Sequence, residues 1–417
     1  MKEISSKSVF YTVFGIFPAL LLVALVFDAC LQPIDPQDFI NAMTGFDANI
    51  RTTDDLVEAI AGQATGNLKY GNEWILANGT YRAQLDIYTD ITVRGQSRGG
   101  VIITGPANYQ SGTDKLNGIS TTNIYQYGKP SLLFGLVTIH DGCSVEIKDL
   151  TVQGNMNQCS SFMTNYDGNT RPELELLCGI GIVDAEVTLD NLVITGIRAP
   201  APKGYMGRGN GFGIIAAGDT DLTVNKCVIK DFTKYGAYFM ADVKDLIFTN
   251  NTVTGMGNTI CGSEKIGPYG TTAPSSWDTG WAIGSAWPNE WMNGSSKTWP
   301  TDWLFAQNGI GLDCPSAEIK GNRFEWLINA SGFNSIAPIH NRHDESAGIL
   351  CWWLSITSPP LPSYTITGNT FYRCDVGIGV GLNSSLSSLE TDYPDAFGSS
   401  PPNTFTGSLH QNVFVQW

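Results

Sequence analysis

Residues 178–197 read CGIGIVDAEVTLDNLVITGI, residues 211–232 read GFGIIAAGDTDLTVNKCVIKDF, and residues 236–258 read GAYFMADVKDLIFTNNTVTGMGN. Each segment begins with an apolar strand led by Gly, passes through a short polar turn into a strand of alternating character, and reaches a third short strand after an Asn. One such unit cannot bury its apolar face alone, whereas stacked units share a continuous core. The repeat of about 25 residues therefore predicts a solenoid of stacked strands.

The same pattern extends beyond the central segments. Upstream it includes NEWILANGTYRAQLDIYTDITVRGQSRGGVIITG (72–105) and LVTIHDGCSVEIKDLTVQGN (136–155), and downstream GIGLDCPSAEIKGNRF (309–324) and SYTITGNTFYRCDVGIGVGL (363–382). These segments resemble right-handed parallel β-helix proteins of the pectate-lyase-like superfamily. The resemblance implies an all-β, right-handed parallel β-helix of about eight to ten coils. That superfamily includes lyases, hydrolases, esterases, epimerases, adhesins and structural proteins, so the resemblance implies an architecture and no single reaction.

The composition limits the partners of the chain. Its 417 residues carry a net charge of −15, with a pI near 4.6 and a charged fraction of 15%. Such a surface repels nucleic-acid phosphates, so the composition argues against nucleic acid as a partner. The same charge disfavours a polyanionic polysaccharide unless Ca²⁺ bridges the two. The length is compatible with one domain, because a solenoid grows by adding coils.

Residues 1–30 have the pattern of an export signal or a membrane anchor. Lysines precede an apolar run whose first charged residue is Asp28. A short basic start before an apolar run indicates export. Cys30 follows a small residue, as at the lipidation site of a bacterial lipoprotein, although Phe27 and Asp28 depart from that pattern. We therefore predict an extracytoplasmic protein, secreted or held at the cell surface or outer membrane through a lipidated Cys30 or an uncleaved anchor.

The remaining chain divides into a linker over 31–50 and a β-helix domain over 51–417. A short helix is predicted over 54–63, because Thr52 or Thr53 can cap its N terminus and its apolar residues share one face. At this place the helix would cover the open end of the first coil, where strand edges are otherwise exposed.

The cysteines permit two interpretations. Cys30 is one of nine, and the others are Cys143, Cys159, Cys178, Cys227, Cys261, Cys314, Cys351 and Cys374. An even number in an exported protein suggests disulfides. The alternative is that several are free and buried within the coils as small apolar side chains. Because no two cysteines have CxxC spacing, a zinc site is not predicted.

A long insertion over 258–308 is rich in tryptophan. It contains Trp277, Trp281, Trp287, Trp291, Trp299 and Trp303. One interpretation is a lobe that packs against a lateral face of the β-helix. Another is a platform on which sugar rings stack, together with Trp352 and Trp353 on a nearby coil. A membrane or protein contact is a third.

Candidate catalytic residues lie in a short polar loop and at the end of one strand. They are Asp313, Arg342, His343, Asp344 and Glu345, with His340 as a substrate contact. Histidine can act as an acid or a base near neutral pH, and arginine can neutralise a uronate carboxylate. Two carboxylates could protonate a glycosidic oxygen and activate water. The alternative is a solvated polar loop with internal ion pairs.

A column of carboxylates is a candidate calcium site. Asp184, Asp219 and Asp242 occupy similar strand ends in successive coils, where stacked strands are about 4.8 Å apart. Carboxylate oxygens bind Ca²⁺, although aspartate at such places more often makes turn hydrogen bonds. The sequence thus favours an exported protein that acts on or binds polysaccharide, as a lyase or glycoside hydrolase. The alternative is a non-catalytic glycan-binding, adhesive or envelope structural protein.

Overall fold

The chain winds through three sheets, one strand of each per coil. The computed structural model describes residues 48–66, 68–105, 118–126, 129–154, 175–197, 211–232, 234–255, 308–327, 346–351, 363–374, 376–380, 402–406 and 411–415. Nearly all the pairs between neighbouring strands are parallel, and the strands follow the order sheet A, sheet B, sheet C along the chain. This is a parallel β-helix, as predicted from the repeat. Parallel crossovers favour the right-handed sense that the resemblance implied.

Sheet A has eight strands, and its outer face is open to solvent. They are β1 (Glu73–Leu76), β4 (Ile91–Gly95), β8 (Ser144–Lys148), β11 (Glu186–Asp190), β14 (Thr220–Asn225), β17 (Val243–Thr249), β20 (Ser316–Lys320) and β23 (Ser363–Thr367). Their residues alternate between buried and partly exposed, because apolar side chains point inward and polar ones outward.

Sheet B has nine short strands. They are β2 (Gly79–Arg82), β5 (Val101–Thr104), β9 (Thr151–Gln153), β12 (Val193–Thr195), β15 (Val228–Lys230), β18 (Thr252–Thr254), β21 (Arg323–Glu325), β24 (Thr370–Tyr372) and β26 (Thr404–Thr406). Their central residues point into the core and include a stack of Phe324, Phe371 and Phe405, with ring centroids 5.2 and 4.9 Å apart.

Sheet C contains nine parallel strands and one antiparallel strand. The parallel strands are β3 (Leu85–Ile87), β7 (Lys129–Ile139), β10 (Glu175–Val183), β13 (Gly211–Ala217), β16 (Tyr235–Phe239), β19 (Asn308–Leu312), β22 (Ala347–Cys351), β25 (Val376–Val380) and β27 (Gln411–Val415). The antiparallel strand β6 (Gly118–Gln126) pairs with β7. Unlike sheet A, strands β13, β19, β22 and β25 are buried on both faces.

Glycines near the start of the sheet C strands allow sheets B and C to approach closely. A Cβ on Gly213 would lie 2.7 Å from Ile229 Cγ2, and one on Gly309 would lie 2.8 Å from Phe324 Cδ1. Both distances are too short for a carbon–carbon contact. The large sheet B side chain fits into the core because the sheet C residue opposite it has no side chain. This explains the glycine at the start of each repeat.

Helix α1 (Thr53–Thr65) extends the predicted helix by one or two residues at each end. Thr52 caps its N terminus in a capping box with Asp55. Near its C terminus, the Gln63 amide donates to the Asp86 carbonyl at 2.7 Å and accepts from the Tyr88 amide at 3.1 Å. These bonds join the helix to β3, the strand at one end of sheet C. That the helix caps the first coil stays a prediction. Among the described residues, no helix is long and apolar enough to span a bilayer.

The described cysteines are thiols rather than disulfides. Six of them are free and buried: Cys143, Cys178, Cys227, Cys314, Cys351 and Cys374. Burial raises the pKa of Cys143 to about 11 and those of Cys227 and Cys314 to about 12. For these six the disulfide prediction is wrong, and the alternative of small buried apolar side chains holds. Cys159 and Cys261 lie outside the described residues.

Candidate functional site

The outer face of sheet C holds Asp313, which alone among the predicted site residues lies in the described part of the chain. The others lie outside it: Cys30, Trp277, Trp281, Trp287, Trp291, Trp299, Trp303, His340, Arg342, His343, Asp344, Glu345, Trp352 and Trp353. The insert over 258–308 is likewise outside, except for Asn308.

Asp313 is held beside Tyr238 by the pairing of two neighbouring strands. It directly follows β19, and its backbone amide donates to the carbonyl of Phe239 at 2.8 Å. Phe239 is a core residue, so the adjacent Tyr238 points to the outer face of sheet C. From there the Tyr238 hydroxyl donates a hydrogen bond to Asp313 Oδ2. The two side chains form a phenol–carboxylate pair on this face.

Gly311 makes that pair sterically feasible. It is the register partner of Tyr238, and it lies between the tyrosine and the end of β19. A Cβ on Gly311 would lie 2.8 Å from Tyr238 Cε2 and 3.0 Å from Tyr235 Cε1. The ring of Tyr238 therefore occupies space that any other residue at 311 would fill.

Two further aromatic rings support Tyr238. The rings of Phe212 and Tyr235 are stacked, with centroids 5.7 Å apart and an interplanar angle of 5°. The Tyr238 ring lies 5.0 Å from Tyr235 and 6.2 Å from Phe212. Both supporting rings are buried, whereas Tyr238 is only partly buried. The cluster thus orients the Tyr238 hydroxyl through packing.

The residue that follows the predicted loop lies at the other end of the sheet C strands. Ser346, which directly follows the loop, precedes Ala347, whose amide donates to Asn308 Oδ1 at 2.9 Å at the start of β19. Asp313 follows the last residue of β19, so it lies about 17 Å from Asn308 along the strand. At the Asp313 end, Cys351 pairs with Leu312, and in the sequence Trp352 and Trp353 come next.

A second polar cluster on the same face was missed from the sequence. Asp86 on β3 accepts a hydrogen bond from Thr138 Oγ1 at 2.6 Å, and its Oδ1 lies 3.0 Å from His140 Nε2. The other ring nitrogen of His140 lies 3.1 Å from Asp141. The sequence offered one signal for this cluster: His140 follows an apolar strand, and histidine is rare in this chain, with four in all.

The electrostatics of this cluster favour a charged imidazole. The hydrogen bond to Asp86 raises the pKa of His140, against the opposing effect of burial. Burial alone would raise the pKa of Asp86, but hydrogen bonds from His140 and Thr138 outweigh it and lower that pKa. A carboxylate at each ring nitrogen stabilises the protonated form of His140 relative to the neutral form. His140 follows β7 and Tyr238 lies in β16. These two strands are three strand spacings apart, or about 14 Å.

The predicted calcium column makes turn contacts instead. Asp184 accepts from the amide of Asp219 at 2.8 Å, and Asp219 forms an ion pair with Lys244. In the described part of the chain, no three His, Cys, Asp or Glu side chains are grouped so as to hold a metal ion. Asp184 therefore follows the alternative interpretation, which is turn hydrogen bonding, and the Asp219 side chain forms an ion pair.

Comparison with known proteins gives matches of structure only. The sequence matches no protein-family model and no curated protein. An alginate lyase from Paenibacillus sp. str. FPU-7 is similar in structure, with 13% identity, a TM-score of 0.41, and coverage of 88% of this chain and 99% of that one. The Azotobacter vinelandii mannuronan C-5 epimerase AlgE4 A-module has 13% identity and a TM-score of 0.29, and covers 91% of this chain and 97% of its own. The AlgE6 A-module has 11% identity and a TM-score of 0.24, with 91% and 95% covered.

Proposed function

We propose that this chain is an exported enzyme that cleaves polysaccharide, as a lyase or a glycoside hydrolase, on the outer face of sheet C. The observation that carries the proposal is the hydrogen bond from the Tyr238 hydroxyl to the Asp313 carboxylate. The pair offers a proton donor and a proton acceptor side by side. Tyr238 and Asp313 are only partly buried, unlike the neighbouring residues of β19 and β22, which are buried on both faces.

Both reaction types need a proton acceptor and a proton donor. In β-elimination a base removes the proton next to a uronate carboxylate, a C=C bond forms, the C–O bond breaks, and the leaving oxygen takes a proton. In hydrolysis a carboxylate activates water while an acid protonates the glycosidic oxygen. An ordinary tyrosine remains protonated near neutral pH and can donate, whereas an aspartate there is ionised and can accept.

Binding is proposed to extend along sheet C from Asp313. Trp352 and Trp353 directly follow the register partner of Leu312, so the chain places them next in sequence at the Asp313 end of the neighbouring strand. Their indole faces would stack on sugar rings, as would those of the Trp-rich insert. The loop residues His340, Arg342, His343, Asp344 and Glu345 remain proposed contributors from the opposite end.

The test is turnover of a panel of uronate-containing and neutral polysaccharides. Reducing ends report both reactions, and ultraviolet absorbance of an unsaturated sugar reports elimination alone. Tyr238→Phe is expected to lower kcat at least about 100-fold, the usual contribution of general acid–base catalysis. Tyr70→Phe is the matched control, because its hydroxyl also lies near an aspartate, 3.3 Å from Asp55 Oδ1, but on the helical end of the molecule.

Two outcomes would contradict the proposal. Full turnover by Tyr238→Phe would place the chemistry elsewhere. Absence of turnover on every polymer by the wild-type chain would favour the non-catalytic glycan-binding or envelope role.

A further inference from the structure

Five side chains form a cationic and aromatic patch on the outside of sheet B, which we name the sheet B patch. Its members are Arg323, Glu325, Trp326, Tyr372 and Arg373. Strands β21 and β24 are neighbours, and Trp326 and Arg373 are the residues that directly follow them. The patch is therefore built at the same place in two successive coils.

The guanidinium of Arg373 is held by two aromatic rings. It lies 5.4 Å from the Trp326 ring centroid and 5.8 Å from that of Tyr372, and the two rings meet edge to face at 5.4 Å. A cation–π contact of this kind uses no N–H hydrogen bond, so the N–H groups of the guanidinium remain able to donate. Among the described residues, no carboxylate pairs with this guanidinium.

Arg323 differs from Arg373 in this respect. Its Nε lies 2.6 Å from Glu325 Oε2, and Glu325 also accepts from Thr254 at 3.0 Å. Glu325 is therefore engaged with Arg323 and Thr254. Because Arg323 already has an acidic partner, Arg373 is the cation of the patch that can receive a carboxylate from a ligand.

The backbone at these positions is unusual. Trp326 has φ of 58° and Arg373 has φ of 50°, both in the left-handed region. Gly196 and Asp231, which directly follow β12 and β15, also have positive φ and are suited to that conformation. A bulky residue is rarely found there, and such strain tends to persist where a function depends on it.

We propose that the sheet B patch is a binding site for an acidic sugar, separate from the chemistry on sheet C. The Arg373 guanidinium binds the ring carboxylate through two parallel N–H···O bonds, and the face of the Trp326 ring that Arg373 does not cover receives the apolar C–H face of the sugar. In a chain of net charge −15 a paired aromatic and arginine site gives an anionic polymer a local point of attachment. The site would hold a polyuronate chain whether or not sheet C cleaves it.

Binding of a short oligogalacturonate, measured by calorimetry, tests this site. The measurements use the full chain carrying Asp313→Asn, so that the ligand is not consumed. Trp326→Asn removes the ring at a position where asparagine tolerates positive φ, and it should keep the melting temperature. Trp326→Asn and Arg373→Gln are each expected to weaken affinity at least about tenfold.

Lys230→Gln is the matched control, because it removes one positive charge from the outer face of the same sheet. Lys230 lies in β15, two coils upstream of β21. Its affinity should stay within about twofold of the parent, and the fully methyl-esterified oligomer should not bind. Equal losses in Lys230→Gln and Arg373→Gln would mean non-specific charge attraction and would overturn the proposal. So would equal binding of the ester, or no binding at all. None of these results depends on whether Tyr238 is catalytic.

Discussion

Gly311 shows how one residue without a side chain positions another. The Tyr238 ring lies across it, and a Cβ there would approach Tyr238 Cε2 to 2.8 Å. We expect Gly311→Ala to displace the ring from Asp313 and to lower kcat as strongly as Tyr238→Phe does. Overpacking should also lower the free energy of unfolding by about 1–3 kcal/mol. Turnover and denaturant unfolding measure the two effects separately.

Gly99→Ala provides the comparison, because a Cβ at Gly99 would have no atom within 4 Å. This variant should retain both turnover and stability. If Gly311→Ala also retained full turnover, the contact between Tyr238 and Asp313 would be unnecessary for the reaction.

His140 makes stability depend on pH. Its pKa is raised above 6.5, so its stabilising effect is complete below that pH and is lost as the pH rises through the folded-state value. The lowered pKa of Asp86 acts at the acidic end, where its stabilisation is lost below 3.8. We expect the free energy of unfolding to fall above about pH 6.5, and His140→Gln to reduce that slope. Asp141→Asn should reduce it less, since Asp141 is 71% exposed. An unchanged slope in His140→Gln would contradict this assignment.

The site residues differ in how far the sequence could reveal them. Asp313 was found because it ends an apolar strand beside a glycine pattern. Its partner Tyr238 is 75 positions away, and no local pattern joins two residues that meet only through the stacking of coils. The same holds for His140 and Asp86, which are 54 positions apart.

At the scale of elements, a ladder of asparagines fastens the turns between sheets A and B. Asn322 Oδ1 accepts from the backbone and side-chain amides of Asn251 at 2.8 and 3.1 Å. Its own Nδ2 donates to the Phe248 carbonyl at 2.8 Å and to Asn369 Oδ1 at 2.9 Å. Asn322→Ala leaves several of these buried groups without partners. We expect the free energy of unfolding to fall by about 3 kcal/mol in chemical denaturation.

Asn403 is the last member of the ladder and serves as the control. It is only partly buried and bonds to Asn369 at 3.0 Å and to the Ile366 carbonyl at 2.8 Å. Asn403→Ala should cost clearly less than Asn322→Ala, because water can replace the lost partners. Equal losses would mean that the ladder does not act through buried hydrogen bonds.

The repeat predicted the strands of the coils, because alternation and turn residues are local properties. The even number of cysteines suggested disulfides, and for the six described cysteines this was wrong, whereas the alternative of buried thiols was right. Cys227 occupies the turn position that Asn251 holds in the next coil, and its Sγ donates to the Leu189 carbonyl at 3.6 Å. Even numbers of cysteines indicate disulfides only when pairs come within reach, and that depends on which way each side chain points.

The negative charge of the whole molecule has to be compatible with the binding of an acidic polysaccharide. A chain of net charge −15 repels a polyanion. At 0.1 M salt this repulsion is largely screened at distances beyond about 10 Å. A cation such as Arg373, which lies against two aromatic rings, acts at contact distance, where screening by salt is weaker. The acidic surface and an acidic ligand are therefore compatible when the cationic contacts are local.

Export is the remaining prediction for the whole molecule, and it is based on residues 1–30. The apolar run after the first lysines is long enough for a signal segment, and Cys30 follows a small residue. If Cys30 is lipidated, wild-type protein should fractionate with membranes, and Cys30→Ser should release it into the soluble fraction. Cys143→Ser serves as the control, because that thiol is buried and cannot carry a lipid. A membrane-bound Cys30→Ser would indicate an uncleaved anchor, and wild-type protein found in the cytoplasm would contradict export itself.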